Sequence, residues 1–431
     1  MSENEKDNKD FEFIKEQVIE KKRKKIKKLL FPTIANLGFA VLFGATAAVT
    51  FVIVEPRLYK FLHSEEETVT PVCFPTESPE KNTDNVVSGT VKEPTPSPVI
   101  VEQSIDADIQ DYLSMNDDIR EVAYQVNKSI VNISSTFAVE DWFGKSVDKV
   151  VDTTGIIVYN NTKNLLILVS LDRVKDAKSI QMVLSDSVAV DGELQDYESE
   201  INLAVIAVPI ADIPTVFIDN LKTADLGESY TISVGAPVIA LGSPNGYPDS
   251  MDFGIITSKG SIAVITDNSL DLFNTNIADN ENSDGVIVNL EGKVIGLITR
   301  TLKEDINEDI STVIGISDLK PIIAMLGNKE PHIYFGVKTD DMTTEAKEEY
   351  GITNGIYVNE VLSDSPAFTA GLQKGDIILE INEHSIMSTS DFNTTISGNQ
   401  PGDRLNVLIL RSSGAKLNEV TLKVTLADKS K

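Results

Sequence analysis

The chain has 431 residues, 41% of them hydrophobic, and a formal charge of −28; it is too long for one ordinary core and too acidic for nucleic acid to be a partner of its bulk. Cys73 is the only cysteine, which excludes an intramolecular disulfide and any multi-cysteine metal site.

The charge is unevenly spread, because residues 1 to 30 carry ten Lys/Arg against seven Asp/Glu. Residues 1–28 end in the run "KKRKKIKK". The uncharged stretch Leu29–Val54 follows, 26 residues that at helical rise exceed the ~30 Å hydrocarbon core of a bilayer. The positive-inside rule puts residues 1–28 in the cytoplasm and everything after Glu55 outside, so 29–54 is expected to be the single transmembrane helix of a cell-membrane protein. A cleaved signal peptide is the competing reading, and its apolar region is normally shorter. The basic run is either a juxtamembrane helix held on anionic lipid or a solvated flank.

Residues 55–108 are rich in Pro, Ser, Thr and Glu and short of bulky apolar side chains, so they read as a disordered tether. From Val131 onward short apolar runs alternate with turn signals: "IVNISSTF", "GIIVYN", "NLLILVSL", "SIQMVLS", "NLAVIAVP", "APVIALGSP", "GIITSKG" and "GVIVNLEGKVIGLIT". Strands at this spacing predict a mainly β barrel or sandwich. "ISDLKPIIAMLGNKEP" predicts a helix and a boundary, giving units 109–328 and 329–431. In the second unit, strand-like alternation is interrupted by Ser365-Pro366 and by the Gly375-Asp376 turn, a short helix "STSDFNTTI" follows, and two strands close it.

On these motifs the chain, from about residue 119 to 426, resembles a membrane-anchored HtrA (DegP-like) serine protease. The residues that carry the likeness are "SIVNISS", "NLAVIAV", "VGAPVIALGSPNG", "FGIITS", "NSDGVIVNLEGKVIGLIT", "YFGV" and "SPAFTAGLQKGDIILEIN". The resemblance implies a trypsin-like double β-barrel over 109–328 followed by a PDZ domain over 329–431, and assembly as a homotrimer or as a hetero-oligomer with active relatives.

The chemistry of that family needs a histidine base, a carboxylate that orients it and a serine nucleophile. The only histidines are His63, His332 and His384, so none lies in 109–328. The resemblance places Asp172 at the base position, Asn202 at the orienter position and Ser283 at the nucleophile position. In the family's G-N-S-G-G loop, Glu281 replaces the first glycine and Asp284 the glycine after the serine. Removing one oxyanion donor typically costs ~10²–10³ in rate. These replacements predict a pseudoenzyme, with Ser283 a turn residue bonded to its own loop. An active endopeptidase with an unconventional base is the alternative; Lys293 is the nearest lysine in the following hairpin.

No cofactor and no metal is expected. A cation cluster of Asp172, Asp279, Glu281 and Asp284 competes with separately solvated carboxylates, and no recognised calcium spacing supports it. The PDZ part keeps its working residues. Tyr334, Phe335, Gly336 and Val337 match the family's carboxylate loop, which captures protein C-termini or unfolded segments by β-augmentation. Phe392 and Ile396 either border the groove or belong to the core. Glu383-His384 replaces a glycine turn and leaves that hairpin's shape open. The function expected from sequence is an envelope quality-control adaptor; a non-catalytic subunit of active relatives is a further alternative.

Overall fold

The computed structural model describes residues 71–74, 108–185, 187–303, 309–413 and 416–429. The expected cytoplasmic segment 1–28 and membrane helix 29–54 lie outside the described residues. Among the described residues no helix is long and apolar enough to cross a membrane.

Helix α1, Ile109–Val126, starts at Asp108, whose side chain accepts from the Gln110 and Asp111 amides while Asp111 answers to the Asp108 amide. Then come β1 (Ile130–Glu140), β2 (Ser146–Asn160), β3 (Asn164–Ser170), β4 (Ser179–Ser185), β5 (Val188–Glu198) and β6 (Leu203–Pro209). They close an antiparallel barrel in the order β1-β2-β3-β6-β5-β4. A short helix α2, Thr215–Ile218, leads to β7 (Pro237–Ser243), β8 (Ser250–Ile265), β9 (Asn268–Ala278), β10 (Asp284–Val288), β11 (Val294–Thr299) and β12 (Ile310–Gly315). These close a second barrel in the order β7-β8-β9-β12-β11-β10, the same pattern six strands later.

The continuous apolar runs in the sequence follow from this pairing of barrels. In β3, Leu165, Ile167 and Val169 fill the first barrel, whereas Leu166 and Leu168 join a core shared with the second. In β7, Val238 and Ala240 fill the second barrel, whereas Ile239 and Leu241 face the shared core. A strand buried on both faces has no polar side to alternate. Helix α3, Ile316–Asn328, seals the shared core with Leu319, Ile323 and Leu326.

The PDZ part comprises β13 (Ile333–Tyr334), β14 (Val337–Asp341), α4 (Thr344–Tyr350), β15 (Ile356–Val361), α5 (Pro366–Ala370), β16 (Ile377–Ile381), β17 (His384–Ser385), α6 (Thr389–Ser397), β18 (Arg404–Ser413), β19 (Lys416–Thr425) and β20 (Ala427–Asp428). Its main sheet runs β14-β15-β16-β18-β19, with β17 on β16. The turn between β16 and β17 keeps its tight form because Asn382 (φ 48) and Glu383 (φ 68) both take left-handed backbone.

Of the expected tether 55–108, residues 55–70 and 75–107 lie outside the described residues. Residues 71–74 lie against the barrel: Val72 is buried in the shared core, its amide donates to Asn328 Oδ1 (2.8 Å) and its carbonyl accepts from Asn328 Nδ2 (3.2 Å). Phe74 meets the Tyr159 ring edge-on at 6.4 Å. Val72 and Phe74 give this short piece the apolar surface that the polar residues around it lack.

Candidate functional site

The first candidate site lies where the two barrels meet, around a cavity of about 310 Å³ lined by Asp172, Arg173, Asn202, Ser283, Asp284 and Arg300 among others. Asp172 sits on the helical turn Leu171–Arg173 after β3, and Asn202 follows the turn Ser199–Ile201 before β6. The fold brings them together. The Asp172 amide donates to Asn202 Oδ1 (2.8 Å), and Asn202 Nδ2 donates to Asp172 Oδ1 (2.9 Å). Asn202 has φ 55 and ψ 41, a backbone conformation that asparagine tolerates better than most residues. Asp172 is exposed, with the Arg173 Nε 3.6 Å away. The two residues expected at the base and orienter positions thus form an amide–carboxylate pair that satisfies itself.

Ser283 is buried, and neither of its polar groups is free. Its hydroxyl donates to the Pro244 carbonyl (2.6 Å) and accepts from the Asn280 amide (2.9 Å). Its own N–H, an oxyanion donor in a working site, donates to the Asn280 carbonyl (3.0 Å). Glu281 is exposed, its carbonyl held by Arg300. Asp284 points across to the first barrel, where Oδ2 accepts from Thr153 Oγ1 (2.6 Å) and Oδ1 from Ser170 Oγ (3.3 Å) and from the Gly285 amide (2.8 Å). Burial pushes the Asp284 carboxyl above its usual range against these donors. Gly285 follows with φ 129, and a Cβ there would lie 2.2 Å from the Leu241 carbonyl oxygen.

The four carboxylates weighed as a cation cluster go to separate partners. Asp172 pairs with Asn202, Asp279 with Lys303 and Asp284 with Thr153 and Ser170, while Glu281 faces solvent. Lys293 lies at the start of the β11 hairpin arm, its amide bonded to Asn289 Oδ1 (2.9 Å).

The second candidate site is the segment Tyr334–Val337, expected from sequence to be the PDZ carboxylate loop. The amides of Phe335, Gly336 and Val337 converge on one point, as the motif requires. A carboxylate already stands there, supplied by Asp267 in the turn between β8 and β9. Its Oδ2 accepts from Phe335 (2.8 Å) and Gly336 (2.9 Å), and its Oδ1 from Gly336 (2.8 Å) and Val337 (2.9 Å). Burial pushes the Asp267 carboxyl up to about 6 even with these donors. Tyr334 pairs β13 with β20. Of the two readings for Phe392 and Ile396, both are fully buried in the PDZ core, with Phe392 packed edge-on beneath Phe335 at 5.3 Å. Sequence reasoning missed Asp267, Thr153 and Ser170, because each acts on a segment distant in the chain.

A trypsin-like peptidase domain model matches residues 153–297, and a PDZ domain model matches residues 333–425. Curated relatives include a "Probable periplasmic serine endoprotease DegP-like" of Rickettsia prowazekii (strain Madrid E), 32% identical over 61% of this chain and 51% of that protein. Another of that name, from Pseudomonas fulva (strain 12-X), is 29% identical over 62% of this chain and 55% of its own length. The "Serine protease Do-like HtrA" of Bacillus subtilis (strain 168) is 28% identical over 71% of this chain and 68% of that protein. The chain spans about half the length of the first two relatives. Among solved structures, "HtrA-type protease AlgW with decapeptide" shares the fold at a TM-score of 0.53 and 21% identity, covering 72% of this chain and 98% of that one. The chain thus carries a trypsin-like peptidase domain followed by a PDZ domain and is homologous to the DegP/HtrA serine proteases.

Proposed function

We propose that this chain is a membrane-anchored, extracytoplasmic HtrA-like pseudoprotease, whose PDZ domain binds exposed protein C-termini or unfolded segments as an envelope quality-control adaptor. The observation that carries the loss of catalysis is the absence of any histidine between residues 109 and 328. A serine hydroxyl without a positioned base is a weak nucleophile. The bonding around Ser283 supports the reading, since hydroxyl and N–H are both engaged within the barrel. So does Asp284, a carboxyl that lines the same cavity as Ser283 at the position where the family's loop has a glycine.

Peptide capture is supported by the three convergent amides of Phe335, Gly336 and Val337, which bind a carboxylate in this chain. The anchor rests on the uncharged span Leu29–Val54 and its basic flank, and the relatives named as periplasmic agree with domains outside the cytoplasm. A second reading, a non-catalytic subunit assembling with active relatives or with itself, is favoured by β8, where the alternate residues Met251, Phe253 and Ile255 are all exposed.

Casein turnover by the full chain, compared with Ser283→Ala, tests the first part: equal, background-level rates are expected, and a rate abolished by Ser283→Ala contradicts the reading. Binding of free-acid against amidated peptides tests the second. Light scattering of the detergent-solubilised chain separates a monomeric adaptor from an assembled subunit.

A further inference from the structure

Asp267 does more than lend a carboxylate to the PDZ loop. It occupies the second of two residues, Thr266 and Asp267, that join β8 to β9, with φ 62. Its side chain is buried, and besides its four acceptor contacts its own N–H donates to the Val337 carbonyl (2.7 Å). Its carbonyl accepts from Asn393 Nδ2 of α6 (3.0 Å). A terminal residue added to a PDZ sheet presents the same pair of groups: a carboxylate to the loop amides and an N–H to the strand that follows. Asp267 reproduces both with a side chain in place of a chain end.

Other contacts hold the hairpin in this position. The Thr266 amide donates to Glu200 Oε2 (2.9 Å), and Lys429, just after β20, bridges Glu200 (2.6 Å) and Glu198 (3.1 Å). His332 Nε2, just before β13, meets Asp196 Oδ2 at 2.9 Å. Both ends of the PDZ part are thus pinned to β5 and the turn after it, next to the Asp267 turn.

We propose that Asp267 is an intramolecular ligand of the PDZ carboxylate loop, so that the chain keeps this site shut until an external C-terminal carboxylate displaces its own. The inference rests on the reading of the PDZ part as a receptor for chain termini. Two carboxylates do not share the loop. Its three amides are saturated by Asp267, and two like charges at that distance repel without a cation between them. The external ligand is a peptide with a free terminal carboxylate, and its apparent affinity is lowered by the fraction of molecules in which Asp267 is seated. Such a receptor responds to clustered or abundant chain ends and ignores sparse ones.

The test uses the full chain with Asp267→Gly, which suits φ 62 and removes the carboxylate, and Asp267→Asn, which keeps shape but sets an amide against N–H donors. Thermal unfolding establishes that each variant is folded. Two readouts are taken: hydrogen exchange of the Phe335, Gly336 and Val337 amides, and affinity for a pool of fluorescent peptides with free or amidated C-termini. The expected result is faster exchange at these amides in both variants and a gain of about tenfold or more in affinity for free-acid peptides only. Unchanged exchange in Asp267→Gly overturns the proposal, as does equal peptide affinity in wild type and both variants. Faster exchange without peptide binding by any variant upholds the internal contact and overturns the receptor reading instead.

Discussion

Gly336→Ala joins two costs in one methyl group. Gly336 has φ 94, and a Cβ built there lies 2.1 Å from Ser365 Cβ. Gly371 is the matched control, with φ 87 and nothing within 4 Å of the added carbon. Left-handed backbone costs an L-residue about 1–2 kcal/mol, and both substitutions incur it. Only Gly336→Ala adds overpacking, about 1–3 kcal/mol for a methyl forced into a filled space. Ser365 is poorly placed to move away: it is fully buried, and its Oγ accepts from the Phe368 amide (3.1 Å) at the start of α5. Relief therefore comes by shifting the loop, which pulls the Gly336 amide off Asp267. The assay is denaturant-dependent hydrogen exchange of PDZ core amides such as Val407 and Ile409. Gly336→Ala should lose about 1–3 kcal/mol more than Gly371→Ala, and its loop amides should exchange faster. Equal destabilisation by the two substitutions would refute the packing argument.

The seated Asp267 carboxyl lies at about 6 against an ordinary 3.8, so seating takes up a proton. The contact is strongest below the ordinary value and weakens as pH rises through about 6, by up to ~3 kcal/mol. Between pH 4 and 7, Gly336 exchange corrected for intrinsic rate should show easier opening in wild type that levels off above the seated value, and a flatter profile in Asp267→Asn. Lys429, Glu200 and Tyr334, which act on Asp267 or its neighbours, stay the same in both chains; identical profiles would contradict the account. Glu383 takes φ 68 without a glycine, so Glu383→Gly should stabilise the PDZ part by about 0.5–1 kcal/mol in chemical denaturation, after the entropy of the freer unfolded chain is subtracted. Asn328→Ala removes both bonds to the Val72 backbone, each worth about 0.5–1.5 kcal/mol, and limited proteolysis should then cut the chain near residues 71–74 faster than in wild type.

The sequence reading reached the barrels and the PDZ domain through residues whose pattern is local. β4 coincides with "SIQMVLS", β10 and β11 with "GVIVNLEGKVIGLIT", and α3 begins within "ISDLKPIIAMLG". It passed over the barrel strands β5, β9 and β12 and the helix α1. In β5, "VAVDGELQDYE", acidic residues interrupt the alternation because much of the strand is solvated or meets Lys429 and His332 from the PDZ part. β9 carries polar Asn274 and Thr275 in buried positions, where Asn274 finds Ser258 and Thr312. The residues expected at the serine site could be named one by one. What they bond to could not, because Asp284 meets Thr153 131 residues away and Asp267 meets Gly336 69 residues away. A lone aspartate in a tight hairpin turn looks ordinary until the surface opposite it is known.

Reaction of the full chain with a fluorophosphonate probe tests the central claim most directly, because such a probe labels a serine only when a base and an oxyanion site activate it. Wild type, Asp172→His and the combined variant Asp172→His, Asn202→Asp, Glu281→Gly and Asp284→Gly are compared, each with a Ser283→Ala control. No Ser283-dependent labelling is expected in wild type or in Asp172→His, since base, orienter and oxyanion donors act as a unit. Labelling of wild type that disappears with Ser283→Ala would contradict the account, and would mean that a base other than histidine activates this serine.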